Sequence, residues 1–210
     1  MTKQIDPTLR IYDSHASTYD KRTAMMETFF QSKVNKMFKI LKGKILEVGV
    51  GTGNNLKNYN ETSRVTALDW SPRMILYAKL KAKRLNLSNI DNFIVGDIQK
   101  LEDYFEQSYF DFVVSRCVFC SVPDPIKGLK QVAKVLKSSG KFIQVEHGIS
   151  NFKPINLFLK AIDPIAYRVE GVHIKRDHIK NLDQAGFKLL KHTSLDPTSI
   201  FRLMISQKIY

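Results

Sequence analysis

Residues 44–53, Lys44-Ile-Leu-Glu-Val-Gly-Val-Gly-Thr-Gly53, are the part of this chain that leaves the fewest folds open. A short apolar run ends in three glycines at alternate positions, Gly49, Gly51 and Gly53. Glycine reaches positive φ and lets the backbone touch a ligand with no Cβ in the way, so the segment reads as a buried strand ending in a ligand-binding turn. Downstream, short apolar runs alternate with helical stretches. Candidate strands cover 44–48, 64–68, 92–95, 110–115 and 141–146, and candidate helices 54–59, 72–85 and 125–136. Such alternation predicts an α/β fold with a parallel sheet and right-handed crossovers. Ser71-Pro72 and Asp124-Pro125 each set a cap residue before a first-turn proline, and Gly140 is expected to end its helix and turn the chain into the next strand.

A length of 210 residues suffices for one α/β domain with a real core, and 43% apolar residues with 10 Gly and 7 Pro exclude a disordered or fibrous chain. No apolar run reaches the roughly 20 residues of a membrane-spanning helix, and residues 1–8 lack the apolar stretch of a secretory signal. Cys117 and Cys120 lie too close in sequence to staple a fold, so a reduced, cytoplasmic protein is expected. A structural zinc takes four ligands and the chain has no second cysteine pair, so no metal is expected. The net charge of +13 favours polyanionic partners: nucleic acid, an anionic membrane met peripherally, or an acidic substrate. A basic surface with no partner reads equally well. The lysines are dispersed along the chain, which weakens the nucleic-acid reading.

Residues 1–23 are polar and irregular, with the paired dipeptides Tyr12-Asp13 and Tyr19-Asp20. From 24 to 41, Met25, Met26, Phe29, Phe30, Val34, Met37, Phe38 and Leu41 recur at helical spacing with Lys33, Lys36 and Lys39 between them. This basic amphipathic helix either lies on the domain or anchors it to a membrane surface. Residues 150–172 break the strand–helix rhythm with an apolar, aromatic segment carrying two prolines, read as an insertion that covers something. A helix over 175–185, closed by Gly186, and strands at 187–193 and 200–207 complete one domain spanning 1–210.

The glycine turn alone does not choose a ligand, because dinucleotide-binding proteins also use one. The dinucleotide pattern wants a third glycine three residues after the second, and Asn54 stands there. Carboxylates close the first three strands: Glu47, Asp69 and Asp97. An acid at 69 can accept both hydroxyls of a ribose. Three acids along the carboxyl edge of the sheet would repel a pyrophosphate and attract a nucleoside bearing a sulfonium and an ammonium, which points to S-adenosyl-L-methionine.

At this point the chain resembles the class I S-adenosylmethionine-dependent methyltransferases. Glu47–Gly53 is similar to their first motif, Asp69 to the ribose-binding acid, Asp97-Ile98 to the adenine-contacting pair, and Phe110–Ser115 to the fourth motif. The resemblance implies a Rossmann-like, doubly wound, seven-stranded sheet, mostly parallel with an antiparallel last strand, beneath an N-terminal helical lid (1–42). It implies that Gly49, Gly51 and Gly53 line the methionine part, that Trp70 and Ile98 flank the adenine, and that Ser115 joins the cofactor site. Ser139-Gly140 departs from the usual Gly-Gly. Within the class, Tyr12-Asp13…Tyr19-Asp20 resembles quinone and phospholipid methyltransferases. Val118–Pro125 looks like both phosphatidylethanolamine N-methyltransferases and alkyl-thiol S-methyltransferases. Glu146-His147 and the 150–172 insertion, expected on the acceptor side, look most like the thiol group.

The function implied is methyl transfer to a small-molecule or lipid acceptor, a thiol or an amine. Alternatives are an RNA methyltransferase drawn in by the basic surface and a quinone-type C-methyltransferase. His147, after the fifth strand, is either a base at the acceptor face or a hydrogen-bonded histidine closing the site. Tyr19 either closes over the cofactor or packs within an N-terminal helix. His173 and His178 are expected on the surface.

Overall fold

The computed structural model describes residues 6–28 and 31–209. Seven strands form one sheet: β1 (Lys44–Val48), β2 (Arg64–Asp69), β3 (Ile90–Val95), β4 (Phe110–Arg116), β5 (Leu136–His147), β6 (Phe187–Ser194) and β7 (Phe201–Lys208). Their order is β3-β2-β1-β4-β5-β7-β6. The first five run parallel, whereas β7 pairs antiparallel with both β5 and β6. The order reverses between β1 and β4, and at such a switch point neighbouring loops diverge and leave a crevice at the carboxyl ends of the strands.

Strand alternation sorts the core into two layers. Ile45, Val65, Ala67, Val114 and Ile143 pack on one face with Val34 and Phe38 of α3 (Gln31–Ile40) and with Ile75, Ala78 and Ala82 of α4 (Pro72–Arg84). Leu46, Val48, Leu68, Val113 and Phe142 pack on the other with Leu129, Val132 and Val135 of α5 (Pro125–Val135) and Leu182 of α7 (His178–Gln184). Both faces are covered, as a parallel sheet requires.

From Pro7 onward the polar N-terminal stretch is largely helical. Asp6 caps α1 (Pro7–His15), its side chain accepting the Thr8 N–H at 2.8 Å, and Pro7 occupies the first turn. This is the cap signal that also starts α4 and α5. The expected helix at 24–41 is carried by α2 (Tyr19–Thr28) and α3. Phe29, Phe30 and the side chains of Met25 and Met26 lie outside the described residues. In α3 the apolar face is buried, while Lys33, Lys36 and Lys39 are exposed. That helix is laid on the sheet.

Several boundaries differ from expectation: α7 starts at His178 rather than 175, and β3 at Ile90 rather than 92. Residues 54–59 form only a 3-10 turn at Leu56–Asn58. And α5 passes directly into β5 at Leu136, with a register shift where Phe110 pairs Leu136 but Phe112 pairs Lys141. A Cβ on Gly140 would come within 3.0 Å of the Asp111 carbonyl oxygen, so glycine is needed there for close strand approach. The insertion folds as α6 (Lys153–Glu170), closed by Gly171 at φ 70°.

Candidate functional site

A crevice opens at the switch point. The glycine turn forms its floor. Val50 donates to the Leu68 carbonyl at 3.0 Å, and the Gly53 N–H donates to the Val50 carbonyl at 3.0 Å. The Gly51 N–H donates at 2.8 Å to Asp69 Oδ2, and the Ser71 N–H at 2.9 Å to Asp69 Oδ1. Burial nonetheless pushes the Asp69 carboxyl up to about 6. The three glycines have different reasons to be glycine. At Gly49 (φ 65°) a Cβ would lie 2.4 Å from the Val118 side chain, and at Gly53 (φ 82°) 3.1 Å from the α4 backbone at Ala78. At Gly51 (φ 55°) nothing would be closer than Tyr19 at 3.7 Å, so this position faces open space in the crevice.

The first two N-terminal helices wall the crevice, and the repeated Tyr-Asp pairs explain how. Tyr12 and Tyr19 line it, their rings 6.4 Å apart, and the Tyr12 hydroxyl meets Ser121 Oγ at 2.7 Å. The aspartates fasten the helices that carry them. Asp13 accepts the Ser71 hydroxyl at 2.7 Å and the Arg73 N–H at 3.2 Å, tying α1 to the start of α4. Asp20 pairs with Lys81 at 2.7 Å and accepts from Thr52 and Asn54, tying α2 to the glycine turn. Burial holds both tyrosine hydroxyls above the usual phenol range, so they stay protonated.

Of the residues expected at the site, Tyr19, Gly49, Gly51, Asp69, Trp70, Asp97 and Ile98 line the crevice together. Asp97 also caps the following turn, accepting the Gln99 N–H at 2.8 Å. Four others lie off its wall. Gly53 is spent on packing against α4. Ser115 is fully buried, on the α5 face of β4. Glu47 is buried beneath the turn, where Oε1 accepts the Asn55 amide at 2.8 Å, and desolvation pushes its carboxyl up to about 7. His147 ends β5 with its ring edge-on to Phe201, 5.9 Å away, and burial pushes it down to about 4. Alternation along β5 turns His147 toward one face and Glu146 toward the other. His178, expected on the surface, is buried, its Nε2 lying 3.0 Å from the His147 carbonyl oxygen.

Arg116 is the main residue that sequence reasoning passed over. It lines both the crevice and the adjoining recess that contains Thr23, Asn54 and Asn55, and it donates to Asn55 Oδ1 at 2.6 Å. The strand tips therefore present two carboxylates and a guanidinium, in place of the three acids the sequence suggested. Glu146 sets the opposite wall: its Oε1 accepts the Val118 and Phe119 N–H groups at 3.0 and 2.9 Å. Arg176 holds the same loop from outside, donating to the carbonyls of Phe119 and, at 2.6 Å, of Val122.

A methyltransferase-domain family model matches residues 46–144. The chain is 30% identical to a thiol S-methyltransferase of Rattus norvegicus over 79% of this chain and 71% of that one. It is 31% identical to a phosphatidylethanolamine N-methyltransferase of Cereibacter sphaeroides (57% and 58%) and 34% identical to a mitochondrial methyltransferase of Saccharomyces cerevisiae (76% and 38%). The chain thus spans between 38% and 71% of the length of these curated relatives. Among solved structures, a SAM-dependent methyltransferase from Aquifex aeolicus superposes with a TM-score of 0.69 at 19% identity, over 98% of this chain and 100% of that one. The chain belongs to the class I S-adenosylmethionine-dependent methyltransferases, whose cofactor is S-adenosyl-L-methionine.

Proposed function

We propose that this chain methylates a small, lipid-soluble thiol. The observation that carries the donor side is the use of the glycine turn's own N–H groups. Those of Val50, Gly51 and Gly53 are all taken within the protein, and no α-helix starts after the turn. A phosphate needs free N–H groups at a helix N-terminus, so the turn is unsuited to a dinucleotide. The donor set left facing the crevice suits S-adenosylmethionine: an acid for ribose hydroxyls in Asp69, apolar walls for adenine in Trp70 and Ile98, and the Arg116 guanidinium for the amino-acid carboxylate. When bound, the cofactor supplies an electrophilic methyl group on a sulfonium sulfur.

The protein's part is alignment and exclusion of water. In this reading α1 and α2 are the lid, and Tyr19 is a positioning residue that keeps its proton and donates a hydrogen bond. The titratable groups favour one acceptor class over another. An ammonium must lose a proton before it can attack, and a neutral imidazole would serve. His147 lies off the crevice, and both tyrosines hold their protons too firmly to act as bases. A thiol with a pKa of about 8.5 is partly ionised at neutral pH and needs little help. The apolar lining from Leu9, Leu68, Met74 and Val122 suits a lipid-soluble acceptor, and similarity to a thiol S-methyltransferase supports the same class. A transfer assay with methyl-labelled cofactor against alkyl thiols, phosphatidylethanolamine, demethylated quinones and RNA tests this. Label should appear in a thioether. Label confined to the lipid amine, quinone or RNA would overturn the thiol assignment.

A further inference from the structure

The insertion helix α6 buries Leu159 on its inward side yet leaves a second apolar face uncovered. Its inward face carries Asp163, which is 2% exposed and meets His173 Nδ1 and Lys175 Nζ, each at 3.1 Å. Its outward face is apolar: Leu157, Phe158, Ile165 and Val169 are 73%, 62%, 66% and 54% exposed, and Phe152 at the N-cap is 53% exposed. At 100° per residue these helical positions fall on one stripe. Lys153 and Lys160 are also exposed on this helix and lie beside the stripe, and Arg168 is exposed within it, between Leu157 and Ile165. Both acids of α6 are engaged elsewhere, Asp163 inward and Glu170 with Arg22. A contiguous apolar surface of this kind marks an interaction site.

We propose that the outward face of α6 docks on an anionic lipid bilayer. An amphipathic helix lies in the interface when its apolar face enters the acyl boundary and flanking lysines and arginines meet anionic headgroups. The arrangement argues against two other uses. Among the described residues no helix is long and apolar enough to cross a membrane, so α6 lies along the surface. Pairing with a second copy about a two-fold axis would set the cations bordering one stripe against those of the other, with no free acid on the helix to offset them. An anionic surface supplies the missing charge, in keeping with a chain of net charge +13. Docking here also brings the membrane beside α1, since Gly171 at the end of α6 packs on Thr8, Ile11 and Tyr12. This inference does not depend on the thiol assignment.

The test is co-sedimentation of the whole chain with vesicles of phosphatidylcholine alone or mixed with phosphatidylglycerol. The wild type should sediment with the anionic vesicles about tenfold more strongly, and less so at high salt. L157E/F158E/I165E should lose that binding while its thermal midpoint and S-adenosylmethionine affinity stay unchanged. K153E/K160E, which keeps the apolar stripe, should lose the preference for anionic over neutral vesicles. Wild-type protein that ignores anionic vesicles would overturn the proposal, as would a triple variant that binds them undiminished. So would light scattering showing a wild-type dimer that the triple variant splits, because the stripe would then be covered by a second copy.

Discussion

Asp69 holds two backbone N–H groups at the crevice wall, and in the proposed reading it also accepts the ribose hydroxyls. Removing a charged acceptor typically costs about 1.5–3 kcal/mol, or roughly 10- to 100-fold in affinity. Asp69→Ala should weaken S-adenosylmethionine binding by at least that much in calorimetry, because the Gly51 and Ser71 amides lose their partner as well. The wild-type affinity should also fall as the pH drops through about 6, where the carboxyl takes a proton. An unchanged affinity in the variant would remove Asp69 from the site. Arg116 was hidden for a local reason. A cation at a strand end faces either the ligand or solvent depending on its neighbours, and nothing in Ser115-Arg-Cys-Val announces which.

Among the elements, the glycine turn separates packing from binding. Gly53 meets α4 backbone, so Gly53→Ala should cost about 1–2 kcal/mol for the left-handed φ, plus the cost of pushing against α4. Gly51→Ala carries the same backbone strain but meets open crevice. The thermal midpoint should therefore fall further in Gly53→Ala, and cofactor affinity further in Gly51→Ala; the reverse order would contradict the placement of the turn. α1 shows what periodicity misses. Its stretch is polar and reads as irregular, yet Asp6-Pro7 carried the same start signal as Ser71-Pro72. The opposite error occurred at 54–59, where the run after the turn spends Asn55 on Glu47 and Arg116 and stops at a single 3-10 turn.

For the molecule as a whole, buried ionisable groups pull stability in opposite directions with pH. Desolvation raises Glu47 and Glu146 from 4.5 to about 7 and Asp69 from 3.8 to about 6. These groups favour the fold at low pH, and their contribution is lost as the pH rises through 6–7. His147 and His178 fall from 6.5 to about 4 and about 3, so their contribution is present above 6.5 and lost as the pH falls through those values. The two sets oppose each other at mildly acidic pH, and above 6.5 only the carboxylate loss continues. Urea midpoints should accordingly decline between 6.5 and alkaline pH. Glu47→Gln removes one of the three contributions and should make the decline shallower. A parallel decline in both proteins would mean that Glu47 is not held neutral.

Strand positions, the glycine turn and the cap residues were set by the sequence itself, because alternation, φ preference and side-chain–backbone hydrogen bonds act over a few residues. Facing was not. Glu47 and Asp69 both close buried strands with a carboxylate, yet one is sealed under Asn55 and the other stands at the crevice. Likewise His147 turns to Phe201 while Arg116 turns to the crevice. The strand order, the docking of α1 and α2 over the turn and the outward face of α6 all come from contacts between residues distant along the chain. Only the folded sheet brings those residues together, and only there do burial and partner decide what each charge can do.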